Sequence, residues 1–139
     1  MTTVTQRKVT SLWVTRSDQP PLCRTSSGAD FSTERISSAL VRVAVAGELD
    51  MRNAPALCSY AGARLHTSSR VVLDLSDVDF FGSAGLTVFE ELDTLARRRN
   101  SRWALVGGRA VDRLLRVLGE PVYAHATLDS AIHALRAPI

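Results

Sequence analysis

The sequence predicts one α/β domain, a mixed sheet of about five strands with helices packed on it. A chain of 139 residues with 45% hydrophobic content is large enough to bury one core. Short β-branched runs alternate with helical patterns in the order ββαβαβαβα, and strands separated by helices pair in parallel through right-handed crossovers. The first two strands follow each other directly, which adds an antiparallel hairpin.

The first half of the domain begins with that hairpin. Residues 29–35 and 40–46 alternate between apolar and polar side chains across a short turn, as two antiparallel strands do. Asn53 as an N-cap and Pro55 in the first turn indicate that a helix begins there. Residues 71–75 are a short apolar, β-branched run, interrupted only by Asp74, which is typical of a buried strand.

The second half continues with three more helices. Residues 76–79 are rich in Ser and Asp and predict a turn. The next helix starts after Ser83 and ends at Arg97–Arg99, whose charge complements the helix dipole. The remaining predicted elements are strand 103–106, helix 109–118, strand 121–124 and a last helix capped by Thr127.

The chain divides into an N-terminal extension, residues 1–28, which we expect to be mobile, and the domain, residues 29–139. Residues 1–27 hold four basic residues and one acidic residue, so the net charge of +3 belongs to this segment. A nucleic-acid-binding domain would carry a basic face of its own, so we expect no nucleic acid partner. No secretion signal and no apolar run of ~20 residues is present, so we expect a cytoplasmic protein without a membrane partner.

Residue types that ligate metals are present, but not in a metal-binding pattern. The two cysteines, Cys23 and Cys58, lie far apart in sequence, and so do the three histidines. We interpret both cysteines as reduced thiols, with a regulatory disulfide between them as the alternative. Asp74, Asp77 and Asp79 suit a hard cation, but aspartates in a tight connection more often bond their own backbone. The sequence predicts no metal site and no cofactor.

Two further motifs have plain structural explanations. Gly107–Gly108 lies between a strand and a helix, but it matches neither the dinucleotide-binding nor the Walker pattern, so we expect a glycine turn. The run Arg97–Arg99 is explained by the helix dipole and by solvation, without a nucleic acid ligand.

Ser83 lies where a strand, a loop and a helix meet. A nucleophile elbow needs glycine two positions before and two positions after its serine; Gly85 fits this pattern and Phe81 does not, so we do not expect an enzyme. Two other interpretations of Ser83 stay open. It is either a helix cap, which stabilises by about 1 kcal/mol, or a phosphoacceptor. A phosphate would add about −1.5 to −2 charges, which a helix start tolerates, so it would change binding and leave folding intact.

Four segments, in this order and spacing, resemble the STAS domain of bacterial anti-sigma factor antagonists. They are Gly47–Asp50, Val71–Ser76, Phe80–Leu86 and Arg109–Gly119. The resemblance covers residue 29 onwards and implies a non-enzymatic domain that binds a cytoplasmic anti-sigma factor, often a serine kinase, and so frees a sigma factor for transcription. Phosphorylation by that kinase would release the antagonist, and a phosphatase would reset it.

The resemblance also implies the site. In the family's Asp-Ser-Ser-Gly-Leu motif the first serine is the phosphoacceptor, and it aligns with Ser83. Gly82 stands where the family has Asp, and Ala84 where it has a second Ser. The expected partner-binding residues are Glu48, Asp50, Gly82, Ala84, Gly85 and Leu86. The alternative function is a STAS scaffold or a small-ligand or nucleotide sensor without phosphorylation, with redox control through Cys23 and Cys58.

Overall fold

One six-stranded sheet organises the part of the chain that the structure describes, residues 23–119 and 122–137 of a computed structural model. The strands are β1 (Cys23–Ser26), β2 (Ala29–Ser37), β3 (Leu40–Leu49), β4 (Arg70–Phe81), β5 (Arg102–Val106) and β6 (Ala124–His125). The helices are α1 (Ala54–Thr67), α2 (Leu86–Arg99), α3 (Arg109–Leu118) and α4 (Leu128–Arg136), and a 3₁₀ turn at Ser83–Gly85 precedes α2. The predicted mixed α/β architecture is confirmed.

The strands lie in the sheet in chain order, from β1 to β6. β1, β2 and β3 are antiparallel neighbours, whereas β3 to β6 run parallel and are joined by helices. Since these parallel strands share one direction, the carboxyl ends of β3 and β4 meet at the same edge of the sheet. The loops that follow them are therefore neighbours, and these loops carry the predicted site.

The sheet begins before the predicted domain boundary. β1 pairs with β2 from Cys23 opposite Ser32 to Ser26 opposite Ala29, within the segment that the sequence assigns to the extension. The β1 side chains are mostly exposed, so no apolar alternation reveals this strand, and backbone pairing with β2 defines it. Residues 1–22, which we expect to be mobile, lie outside the described residues.

β4 is longer than predicted. It runs without interruption through residues 76–79, so the turn predicted there is wrong. The reason is that β3 continues to Leu49 and offers β4 pairing partners as far as Phe81, with two irregularities in the register. Pairing with a neighbouring strand outweighs the local preference of Ser and Asp for turns. The last strand, β6, also starts later than predicted.

Helices cover both faces of the sheet. Successive side chains of β4 point to opposite faces, so Leu73 and Leu75 enter a core with α1, α2 and α3, whereas Val72 enters a smaller core with α4. All three side chains are fully buried. Among the described residues, no helix has the length and apolar character that crossing a membrane requires.

Candidate functional site

The loops after β3 and β4 lie side by side at the carboxyl edge of the sheet. The parallel register pairs Leu49 with Phe81, so the two strands end together. The Gly82 N–H then donates to the Leu49 carbonyl oxygen, with 2.8 Å between nitrogen and oxygen. The structure thereby places the Asp50 loop beside the Ser83 loop.

The Ser83 side chain is exposed at the first position of the 3₁₀ turn. The Gly85 N–H closes this turn by donating to the Gly82 carbonyl oxygen over 2.9 Å. Within the described residues the Ser83 hydroxyl makes no capping hydrogen bond, so its interpretation as a helix cap is wrong. An exposed hydroxyl with no structural task is chemically available for modification.

The Ser83 loop rests on the ring of Phe81. A Cβ built on Gly85 would lie 2.4 Å from Phe81 Cζ, so the backbone can approach the ring this closely only at a glycine. The Phe81 ring in turn stacks on Phe89 of α2, with 5.6 Å between ring centroids. Gly85 is buried, so it shapes the loop and cannot offer a partner a contact surface of its own. Ala84 and Leu86 are half-buried and pack against the core.

Arg52 partly neutralises the acidic residues of the β3 loop. Its guanidinium lies 2.9 Å from the Asp50 carboxylate, and its backbone N–H donates to the same carboxylate. It also lies 3.6 Å from the Glu48 carboxylate. The side-chain hydrogen bond from Arg52 is the main reason that the pKa of Asp50 is lower than usual. Sequence reasoning missed Arg52, although an arginine two residues after an aspartate in a loop is a visible signal.

Asn53 holds the loop after β3 against the hairpin formed by β1 and β2. Its side-chain nitrogen donates to the carbonyl oxygens of Glu48, Ser27 and Ser26 over 2.8, 3.0 and 3.3 Å. Its side-chain oxygen accepts from the Asp50 N–H. Asn53 is fully buried at the N-cap position predicted for it, with α1 beginning at the next residue, but its side chain makes no cap bond and bonds the neighbouring loops instead.

A groove of about 320 Å³ opens between the end of β4 and α3, beside Ser83. The Phe80 side chain is 53% exposed and Val117 is 74% exposed, so the groove presents apolar surface to solvent. The groove is also lined by Arg113 and Asp79. Sequence reasoning missed this contribution of α3, because about thirty residues separate Ser83 from Arg113 and only the fold brings them together.

The two cysteines lie on different elements. Cys23 is exposed in β1, at the edge of the sheet, and Cys58 is half-buried on α1. Burial is the main reason that the pKa of the Cys58 thiol is raised, and the Glu91 carboxylate of α2 adds to it, whereas a hydrogen bond with Thr87 opposes it. Cys58 therefore faces α2, and the structure does not bring the two thiols together.

Of the three aspartates of β4, Asp74 forms hydrogen bonds within the sheet and the other two are exposed. The Asp74 carboxylate accepts hydrogen bonds from Arg42 Nε at 2.9 Å and from the Ser76 hydroxyl at 2.6 Å. Asp77 and Asp79 are exposed on the same strand. Among the described residues, no group of three or more His, Cys, Asp or Glu side chains is arranged to hold a metal ion.

Comparison with known proteins agrees with this fold. The family model described as "Mlab, STAS domain" matches residues 32–120. An anti-sigma factor antagonist from Mycobacterium paratuberculosis, solved by crystallography, is 30% identical, and the match covers 81% of this chain and 100% of that one with a TM-score of 0.66.

Two more distant structures share the fold. A putative anti-sigma factor antagonist from Thermotoga maritima is 23% identical, and the match covers 77% of this chain and 95% of that one with a TM-score of 0.63. The anti-sigma factor antagonist SpoIIAA in its unphosphorylated form is 18% identical, with coverages of 78% and 98% and a TM-score of 0.64. None of the curated proteins compared with the chain matches it.

Proposed function

The chain belongs to the STAS domain family, and we propose that it acts in the cytoplasm as an anti-sigma factor antagonist. In this role it binds an anti-sigma factor and so releases the sigma factor that this partner held. The 30% identical relative is an anti-sigma factor antagonist, and the match covers its whole length, which supports the assignment. The observation that carries it is the exposed Ser83 on a loop fixed at the carboxyl edge of the sheet.

The partner-binding surface in this proposal is the pair of neighbouring loops. Asp50 and Glu48 contribute charge that Arg52 partly offsets, and Gly82 and Ala84 flank the acceptor. Leu86 adds partly exposed apolar surface, whereas Gly85 acts through the shape of the loop.

Phosphorylation of Ser83 is the proposed switch. Unmodified Ser83 presents a neutral surface, and a phosphate would add about −1.5 to −2 charges at that point. An acidic group on the partner would then be repelled across the interface. The kinase in this scheme is the anti-sigma factor itself, and a separate phosphatase removes the phosphate.

A titration of candidate anti-sigma factors against three variants tests the proposal. Ser83→Ala should bind as tightly as the wild type, and Ser83→Asp at least about tenfold more weakly, the equivalent of about 1.4 kcal/mol. Ser69→Asp is the matched control, because Ser69 is exposed in the loop that enters β4 at the opposite edge of the sheet, and it should bind normally. Equal, tight binding by all variants would contradict the switch, and binding by none of them would contradict the antagonist role and leave a ligand-sensing STAS module as the explanation.

A further inference from the structure

We propose that Arg113 on α3 receives the phosphate of Ser83, so that phosphorylation bridges the groove between the end of β4 and α3. This inference rests on the proposed function, because it requires Ser83 to be the phosphoacceptor. In this proposal the phosphate on Ser83 binds a side chain of the same protein, the Arg113 guanidinium.

The first support is position. Ser83 and Arg113 line the same groove of about 320 Å³, one from the β4–α2 loop and one from α3. Both side chains are exposed, so neither has to leave a packed position to reach the other.

The second support is that the Arg113 guanidinium has no other task. Arg42 and Arg52 pair with carboxylates, and Arg102 donates to the carbonyl oxygens at the end of α4. Within the described residues, Arg113 makes no hydrogen bond or ion pair. Its five donors are therefore available to a new acceptor.

The third support is the chemistry of the groove. A guanidinium binds phosphate through paired, charge-assisted hydrogen bonds. The apolar side chains of Phe80, Leu114 and Val117 also line the groove, and they offer the phosphate no competing hydrogen bond. The Asp79 carboxylate also lines the groove and competes for the Arg113 guanidinium. A phosphate carries about twice the charge of a carboxylate, so it binds the guanidinium more strongly.

The consequence is a second effect of phosphorylation beyond added charge. A phosphate held by Arg113 would span the groove that Phe80 also lines, and so obstruct the exposed apolar surface beside the two loops. A partner would then lose both a neutral loop and an accessible apolar surface.

The test uses protein with phosphoserine incorporated at position 83 during translation, so that no kinase is needed. Phosphorus NMR then measures the second pKa of the phosphoserine, which is about 6 when it is unpaired. A neighbouring guanidinium stabilises the dianion, so we expect a lower value in the wild-type background. Arg113→Gln should raise the second pKa of the phosphoserine by about half a unit or more. In the wild type we expect phosphorylation to shift the resonances of the Phe80 ring, and in Arg113→Gln this shift should be absent.

Arg116→Gln is the matched control, because Arg116 is exposed on the same helix but does not line the groove. It should leave the phosphoserine pKa unchanged. Identical values in wild type, Arg113→Gln and Arg116→Gln would overturn the inference and point to the backbone N–H groups at the start of α2. Because phosphoserine is incorporated directly, this result is independent of whether any anti-sigma factor binds the chain.

Discussion

At the scale of single residues, the Ser83 loop depends on two glycines with different surroundings. Gly82 is extended, with φ −84°, a conformation open to any residue, and its nearest obstacle is the exposed Phe80 ring at 3.3 Å from a built Cβ. Gly85 is buried, and a Cβ there would lie 2.4 Å from the Phe81 ring. The loop therefore tolerates a side chain at the first position and not at the second.

The pair Gly82→Asp and Gly85→Ala tests this difference. Gly82→Asp restores the aspartate that the resemblance places there and should change the free energy of unfolding by less than about 0.5 kcal/mol, because the exposed Phe80 ring beside this half-buried position can move aside. Gly85→Ala should lower it by about 1–3 kcal/mol, because Phe81 has to move within the core. Urea unfolding measures both, and equal stability of the two variants would contradict the description of the loop.

At the scale of elements, side-chain bonds join the loop after β3 to the β1–β2 hairpin, and join β3 to its neighbours β2 and β4. The Asn53 side chain bonds the turn between β1 and β2 as well as the end of β3. Arg42 of β3 joins Asp74 of β4 at 2.9 Å and Glu34 of β2 at 3.3 Å. The Asn53 bonds therefore hold the end of β3 that carries the site, whereas the Arg42 contacts join the strands farther from it.

Asn53→Ala should destabilise the protein by about 2 kcal/mol or more, because it leaves buried backbone groups without partners. Ser59→Ala, at an exposed position of α1, is the control and should be neutral. Chemical denaturation gives the two values. A stable Asn53→Ala protein would show that the hairpin is held by other contacts.

The Asp74 carboxyl makes stability depend on pH. Burial works to raise its pKa, but hydrogen bonds from Ser76 and Arg42 outweigh burial and leave it lower than the ordinary value of 3.8. A carboxyl whose pKa is lower in the folded state than in the unfolded state stabilises the fold at pH values above its unfolded pKa. This contribution is lost as the pH falls from about 4 through the pKa of the folded state.

Unfolding of the wild type and Asp74→Asn at pH 7 and at decreasing pH below 4 tests this prediction. The variant should be less stable at pH 7, and the difference should shrink as acid protonates Asp74 in the wild type. Asp77→Asn, exposed on the same strand, is the control. A constant difference across this range would contradict the role of Asp74.

At the scale of the whole molecule, the fold separates Ser83, the proposed phosphoacceptor, from the core. The Ser83 loop lies at the sheet edge, over a rigid base formed by Phe81 and Phe89, and α4 packs on the other face. A charge placed on Ser83 therefore meets solvent and the start of a helix, where the dipole favours it.

Ser83→Asp should accordingly leave the protein folded, with its free energy of unfolding within about 0.5 kcal/mol of the wild type. Thermal unfolding followed by circular dichroism checks this directly. A strong loss of stability would mean that any loss of partner binding reflects unfolding instead of a switch at the surface.

The sequence predicted the features that local patterns determine. The positions of α2 and α3, the hairpin and the exposed loop at Ser83 follow from periodicity, helix ends and the family resemblance. The Thr127 cap is also confirmed, since its hydroxyl accepts from the Ser130 N–H. The sequence did not predict the features that depend on contacts between distant segments. These features are β1, the extension of β4, the bridging role of Asn53 and the groove shared by Ser83 and Arg113.

The most direct test of the switch starts from a purified complex of this chain with a kinase-type anti-sigma factor. ATP is added, and the complex is followed by size-exclusion chromatography while mass spectrometry locates any phosphate. We expect the wild-type complex to dissociate as Ser83 gains one phosphate, and the Ser83→Ala complex to persist. Dissociation of both complexes, or a phosphorylated wild type that stays bound, would contradict the account.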